Sequence, residues 1–450
     1  MPIQRETWGS RFGFIMATAG FAVGLGNIWR FPYIVGQNGG GAFLLVYVAF
    51  AILIGIPLFT AEMSLGRKTQ LTPIAGMRKL TGKPTSVWNL IGWLGVATAI
   101  VLTSYYVMLI AWITAYFVMI LVGPAMSASP DETRAVYDAF VARPLPVFAY
   151  TFVVVAVMAL LVGHGLHKGI ERVAKIVMPV AVVLLILLAV RSLTFPGARA
   201  GLVWYLKPDF AALDGSAVLA ALGQAFYSIG IGMAATFAYG SYLSPEKSDV
   251  PGSAAIVVAF DTSMAFLAGL VIFPALFAFG MEPDSGPGLL FITMPALFAR
   301  MPAGELFGAS FFFLMIIAGL TSQIALFEVM TASLRDSLGW RRTKAVWVTA
   351  VGTFALSVPI ILSQGPWSHI RLFDKDLFGL ADWLSGNIML TLGAFLISLY
   401  VALVWGWERF RDETNVGSGH VKVGALWAPF VRYLIPVAVA IVLLVGLGVI

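Results

Sequence analysis

The sequence predicts an all-α integral membrane protein with eleven transmembrane helices, on three observations. Apolar residues make up 60% of the 450 positions and charged residues only 11%, too little charge to cover a water-soluble domain of this size. Apolar runs of at least about 18 residues, the length that crosses a bilayer, recur along the whole chain. Two of those runs are interrupted by glycines at mid-depth, which is unusual for a simple membrane anchor.

The runs lie near residues 12–35, 42–66, 87–122, 146–163, 170–192, 216–242, 253–280, 304–334, 343–362, 379–406 and 425–449. The first follows Arg5 and Arg11 and is longer than the apolar region of a cleavable leader, so it reads as a span. Its middle carries Gly20, Gly24, Gly26 and Asn27. The second contains Glu62 and closes on Arg67 and Lys68 at the membrane face. The third holds Tyr106 in mid-span, too deep for an interfacial aromatic belt. Residues 124–145 are the main hydrophilic interruption and form an outer loop.

The sixth run holds Ser228-Ile-Gly-Ile-Gly232 at mid-depth. The seventh holds Asp261, and a carboxylate inside a span is expensive enough to mark function, unless a neighbouring Ser or Thr simply holds it. Gly286-Pro287-Gly288 precedes apolar residues 289–299, too short to span, which read as a re-entrant or surface-capping segment. The eighth carries Thr321 and Ser322, whose hydroxyls could bond back to their own helix. Glu328 in this helix and Glu62 receive no role from sequence.

Charge placement sets the topology. Most of the 28 basic residues, among them Arg11, Arg67, Lys68, Arg78, Arg341 and Arg342, fall on the side that also holds the N-terminus. The positive-inside rule makes that side cytoplasmic and puts the C-terminus outside. The net charge of +6 is therefore a topology signal, and no nucleic-acid partner is expected. Absence of cysteine excludes disulfides, thiol metal sites and a cysteine nucleophile. With no glycosylation sequon either, the expected location is a plasma membrane of the bacterial inner-membrane kind. No nucleophile–base pair, His/Cys metal cluster or phosphate loop occurs, so the chain is not expected to be an enzyme.

The two glycine breaks occupy equivalent places if residues 1–192 and 193–406 are five-helix repeats, followed by 407–450 as a loop and an eleventh helix. An odd number of helices per repeat inserts the second upside down relative to the first. Matched breaks in inverted repeats point to a transporter with its site at the midplane. Unwinding frees amides that can hold an anionic group and carbonyls that can hold a hard cation.

Trp8, the run Gly20-Phe-Ala-Val-Gly-Leu-Gly-Asn-Ile-Trp-Arg-Phe-Pro-Tyr33 and Asn38-Gly-Gly-Gly-Ala-Phe43 resemble the first helix and following loop of the neurotransmitter:sodium symporter family. Gly223-Gln-Ala-Phe-Tyr-Ser228 and Ala318-Gly-Leu-Thr-Ser322 resemble its sixth- and eighth-helix motifs. The resemblance runs from about residue 5 to 406 and implies a leucine-transporter-like fold, the family for which matched breaks are already described. It implies sodium-coupled symport of a neutral, hydrophobic or aromatic L-amino acid into the cell by alternating access. The alternative is a proton-coupled amino-acid carrier of the same fold.

The resemblance also assigns residues. One sodium site would use carbonyls of Gly20, Val23 and Ala318 with the hydroxyls of Thr321 and Ser322. A second would use Ala22, Asn27, Ser228, Asp261 and the substrate carboxylate. Chloride-dependent members have a neutral residue at the Asp261 position, so no chloride requirement is expected. Gly24 stands where amine transporters carry Asp, leaving room for a carboxylate alongside Leu25, Gly26 and Tyr106. The side-chain pocket would comprise Leu102, Leu109, Phe226, Tyr227, Ser228, Gly230, Met233, Ser322 and Leu326. Arg30 with Asp382 and Gln224 would gate the outside, with Tyr227 as lid. Arg5 with Asp336, supported by Trp8 and Tyr242, would gate the cytoplasmic side. Isolated pairs of this kind can also be solvated interfacial charges of little weight. Ala234 stands where glycine is frequent. Many relatives have twelve helices, so a monomer or weak dimer among membrane lipid is expected.

Overall fold

The computed structural model describes residues 6–123, 126–246, 248–281, 288–417, 419 and 421–449. Among these, nine helices are long and apolar enough to cross a membrane. A tenth span is the pair Arg11–Ala22 and Gly26–Gln37, bent by 51°. The remaining predicted span is the stretch Gly215–Ile229 followed by Ala235–Gly240, split so that neither piece reaches spanning length. With it the count is consistent with eleven, and both mid-depth glycine clusters are true breaks.

The other spans are Gly41–Thr69, Val87–Leu121, Pro144–Gly163, Leu166–Leu193, Val250–Ala278, Gly304–Leu338, Arg342–Ser363, Leu377–Trp405 and Trp427–Gly446. Their starts follow local chemistry. Ser10 accepts from the Gly13 amide, Asp214 from Ala217, Asp249 from Gly252 and Asp376 from Gly379, each satisfying an orphan donor of a first turn. Proline occupies the first helical position at Pro73, Pro130 and Pro144, where its missing N–H removes nothing.

The third and eighth spans are 78% buried over their apolar windows and form the centre, whereas the fifth and eleventh are 33% buried and lie at the periphery. Gly319 marks how closely the central pair packs, since a Cβ there would lie 2.8 Å from Ile110. Shorter helices not foreseen in the sequence cap the bundle: Pro73–Thr81, Ala198–Leu206 and Trp407–Thr414. The segment 124–145, read as a loop, contains the helix Pro130–Val141. Leu289–Ala299 is a buried helix too short to span, while Gly286 and Pro287 of the expected turn lie outside the described residues.

On the basic face, Arg67 is fully buried although charged. Its guanidinium meets the Glu413 carboxylate at 3.2 Å, Ser248 Oγ at 3.1 Å, the Val416 carbonyl at 3.0 Å and the Glu413 carbonyl. Lys68 adds a 3.2 Å contact to Glu413, and Arg11 pairs with Asp249 at 2.8 Å. One arginine thus ties the end of the second span to the segments that follow the sixth and the tenth.

Candidate functional site

The first helix stops at Ala22 because Val23 turns to extended backbone, with φ −75° and ψ 97°. The chain then re-enters helix at Gly26. Nearby polar side chains take up the freed backbone. The Leu25 amide donates to the Tyr106 hydroxyl at 2.9 Å, and the Gly24 amide donates to Asn27 Oδ1 at 3.1 Å. Glycine is needed at 24 because a Cβ there would lie 2.7 Å from Ser322 Oγ and 3.0 Å from the Tyr106 hydroxyl.

The sixth span breaks through left-handed residues. Gly230 has φ +73°, Gly232 +85° and Ala234 +64°. A Cβ on Gly232 would sit 2.4 Å from the Leu390 carbonyl, so only glycine fits there. Ala234 takes the same region with a side chain, a conformation L-residues adopt at a cost. Glu62, to which sequence assigned nothing, accepts from the Gly232 amide at 3.1 Å from deep inside the second span. Its carboxylate satisfies backbone that the break would otherwise strand.

Between the breaks lies a small cavity of about 30 Å³. Of the residues expected around a substrate, Ala22, Gly24, Gly26, Leu102, Tyr106, Tyr227, Ser228, Gly230, Met233, Ser322 and Leu326 line it. Three expected residues do not. Leu109 and Phe226 are buried elsewhere in the core, and Leu25 reaches the site through its amide rather than its side chain. Phe21 and Gln323 line the cavity and were not foreseen. Each adjoins a foreseen residue, Ala22 or Ser322, but chain adjacency does not say which way a side chain turns at a helix break.

Two oxygen clusters flank the cavity. In one, Ser322 Oγ crosses to the first span and donates towards the carbonyls of Phe21 at 2.9 Å and of Gly20 and Val23 at 3.3 Å. Thr321 instead bonds back to Ile317 and Ala318 at 3.0 and 3.1 Å. In the other, Asn27 Nδ2 donates to Asp261 Oδ1 at 2.7 Å, to the Asp261 carbonyl at 3.1 Å and to Ser228 Oγ at 3.1 Å. Ser228 donates to Asp261 Oδ2 at 2.8 Å, and the Tyr47 hydroxyl lies 3.3 Å from Ser228. Neutral carbonyl and hydroxyl oxygens with at most one carboxylate are what a small hard cation takes. Among the described residues no cluster of three or more His, Cys, Asp or Glu offers a transition-metal site.

Outside the cavity, the Arg30 guanidinium lies 4.4 Å from the Tyr227 ring centre and hydrogen-bonds Gln224. Asp382 accepts from Tyr105 at 3.0 Å, and among the described residues no ion pair joins it to Arg30. On the side that holds the N-terminal segment, Trp8 donates from Nε1 to the Tyr239 carbonyl at 3.0 Å and packs edge-on to Tyr242 at 6.4 Å. Tyr242 donates to Glu328 at 2.7 Å, and Glu328 pairs with Arg342 at 2.6 Å. Glu6 bridges Arg342 and Arg335 at 3.1 and 3.2 Å and accepts from the Leu166 amide at 2.7 Å. Burial pushes the Glu6 carboxyl up, but Arg342, the Leu166 amide and Arg335 outweigh it and hold it below the usual carboxylate range. Arg5 of the expected inner pair lies outside the described residues, and Asp336 accepts from the Thr72 amide at 2.8 Å.

Comparison with known proteins places the whole chain in one group. The model of the sodium:neurotransmitter symporter family matches residues 5–126 and 146–449. An uncharacterized sodium-dependent transporter of Bacillus subtilis is 38% identical over 449 residues, covering 100% of this chain and 98% of the relative. The human sodium- and chloride-dependent creatine transporter 1 is 30% identical, covering 91% of this chain and 72% of its own length. The crystal structure of MhsT in complex with L-phenylalanine superposes with a TM-score of 0.89 at 38% identity, over 98% of this chain and 100% of that one.

Proposed function

This chain belongs to the sodium:neurotransmitter symporter family, and on that premise we propose that it carries a neutral, hydrophobic or aromatic L-amino acid inward with sodium. The family is one of sodium-dependent membrane transporters, not enzymes. The observation that carries the finer reading is the cavity between the two breaks, walled by Gly24 and Tyr106 at one end and by Phe21, Met233 and Leu326. It has no charged lining residue, which disfavours acidic and basic side chains. MhsT, the structural neighbour, holds phenylalanine.

The substrate carboxylate lies beside Gly24, Gly26 and Tyr106, in the space that an aspartate at position 24 would fill. Sodium at one site takes carbonyls of Gly20, Val23 and Ala318 with Thr321 and Ser322. That site clamps the eighth span to the broken first span. Sodium at the other takes Ala22, Asn27, Ser228, Asp261 and the substrate carboxylate. Because that carboxylate completes the ion's shell, each ligand raises the affinity of the other by the same factor. Closure then follows at Tyr227 and Arg30 outside, and opening at Trp8, Tyr242, Glu328 and Arg342 inside.

Asp261 supports independence from chloride. Its carboxylate already sits among the Asn27 amide and the Ser228 hydroxyl, so the negative charge is supplied by the chain. The name of the creatine transporter records a chloride requirement in that relative. The protein works as a monomer or weak dimer in a bacterial inner membrane with its N-terminus in the cytoplasm. The test is uptake of each of the twenty amino acids into proteoliposomes with sodium, lithium or potassium outside, repeated with gluconate replacing chloride. Sodium-dependent uptake of Leu, Phe or Trp that is indifferent to chloride is expected. Preference for Glu or Lys refutes the substrate class, and strict chloride dependence refutes the role of Asp261.

A further inference from the structure

One wall of the cavity is polar without a partner. Gln323 follows Ser322 on the eighth span, is fully buried and lines the cavity, yet neither its Nε2 nor its Oε1 has a hydrogen-bond partner. Among the described residues it is the only cavity-lining side chain with such an orphan. Buried amides are nearly always satisfied, because stranding both a donor and an acceptor forfeits their interactions with water. An unsatisfied pair facing a ligand space is therefore a recognition group awaiting its ligand.

The position within the cavity follows from helix geometry. Ser322 faces the carbonyls of the first-span break, and the next residue is turned about 100° around the axis. Gln323 and Leu326 are three residues apart and share a face. A Cβ on Gly24 would run into Ser322 and Tyr106, whereas one on Gly230 would meet the Phe21 ring at 2.5 Å. The first contact marks the carboxylate end of the proposed substrate and the second the side-chain end, where Met233 and Leu326 complete an apolar wall.

Resting on the reading of this cavity as an amino-acid site, we propose that Gln323 determines specificity by hydrogen-bonding an O–H or N–H on an aromatic side chain. The preferred substrate class is thereby narrowed to tyrosine and tryptophan over phenylalanine and leucine. The apolar wall takes the ring, and the amide takes its one polar atom. A purely apolar ring leaves both amide atoms unpaired in a buried site, so it binds more weakly.

The experiment uses the purified full-length protein in lipid nanodiscs and measures sodium-dependent binding of two matched pairs. These are tyrosine against phenylalanine, and tryptophan against 3-benzothienylalanine, in which sulfur replaces the indole N–H. Wild type is expected to favour the hydrogen-bonding member of each pair by roughly tenfold. Gln323→Leu is expected to bring both ratios close to one, a change of selectivity that a merely structural glutamine would not produce. If that variant fails to fold, the wild-type ratios decide alone. Wild-type ratios near one, as when a trapped water satisfies the amide, overturn the role of Gln323 while leaving amino-acid binding intact. Ratios that persist in Gln323→Leu overturn it as well. Failure of every amino acid to bind in sodium overturns the underlying reading with it.

Discussion

Replacing Gly24 with alanine adds one methyl group at the point where the first span breaks. The new carbon would lie 2.7 Å from Ser322 Oγ and 3.0 Å from the Tyr106 hydroxyl, both well inside van der Waals contact. Each neighbour is tethered by a hydrogen bond that it gives up if it moves. Ser322 is held at 2.9 Å from the Phe21 carbonyl, and Tyr106 accepts the Leu25 amide at 2.9 Å. Overpacking of this kind costs about 1–3 kcal/mol. Displacing either hydroxyl adds the loss of a buried hydrogen bond, about 1 kcal/mol. In the empty protein Ser322 can swing into the cavity, but with substrate present that space is taken, so the cost falls on the complex. At about 1.4 kcal/mol per decade, a penalty of about 2 kcal/mol weakens sodium-dependent substrate binding roughly 30-fold. Equilibrium binding of labelled substrate to purified Gly24→Ala and wild type measures it. Affinity within about threefold of wild type would refute the placement of the carboxylate beside Gly24.

Further expectations concern packing and the basic face. Gly95→Ala would bring a Cβ to 2.5 Å from the Ala234 Cβ, so it should destabilise by about 1–3 kcal/mol. Ala234→Gly removes both that methyl and a left-handed alanine, so the double variant should recover with a coupling of about 1–2 kcal/mol in thermal unfolding; strict additivity would contradict the contact. Arg67→Met leaves Glu413 with Lys68 as its one charged partner among the described residues, a loss of about 3–5 kcal/mol, seen as a clear drop in apparent Tm. An unchanged Tm would show that the arginine is not structural. Glu6 is held below its ordinary 4.5, so its stabilising contribution is complete above that value and fades as pH falls through the folded pKa. The Tm gap between wild type and Glu6→Gln should accordingly be full near neutrality and close in acid. A gap that widens in acid would reverse the sign of the argument.

The breaks were legible because glycine clusters inside apolar runs are a local signal with a local cause, the need for positive φ or close backbone approach. Gly24 was legible for the same reason, and Asp261 because a carboxylate stands out in a span. What the sequence did not convey is partnership across distance. Glu62 supports Gly232, and Arg67 holds Glu413, each joining residues more than 150 positions apart with no periodic pattern between them. Glu328 likewise needed Tyr242 and Arg342 beside it before its place in a buried network made sense. Side-chain direction was the other gap. Leu109 and Leu102 lie seven residues apart on one helix, yet of the two Leu102 alone lines the cavity. Gln323 was passed over because a glutamine beside a serine carries no signal until its surroundings prove empty of partners.

Uptake driven by an imposed ion gradient tests the central claim most directly. Proteoliposomes loaded with potassium and diluted into sodium should accumulate labelled tyrosine, tryptophan or leucine above the external concentration. Dilution into potassium should give equilibration at most, and Asn27→Ala, which breaks the bond to Asp261 and the link to Ser228, should lose accumulation. Equal accumulation without sodium, powered by an inward proton gradient alone, would contradict the account and favour a proton-coupled carrier of the same fold.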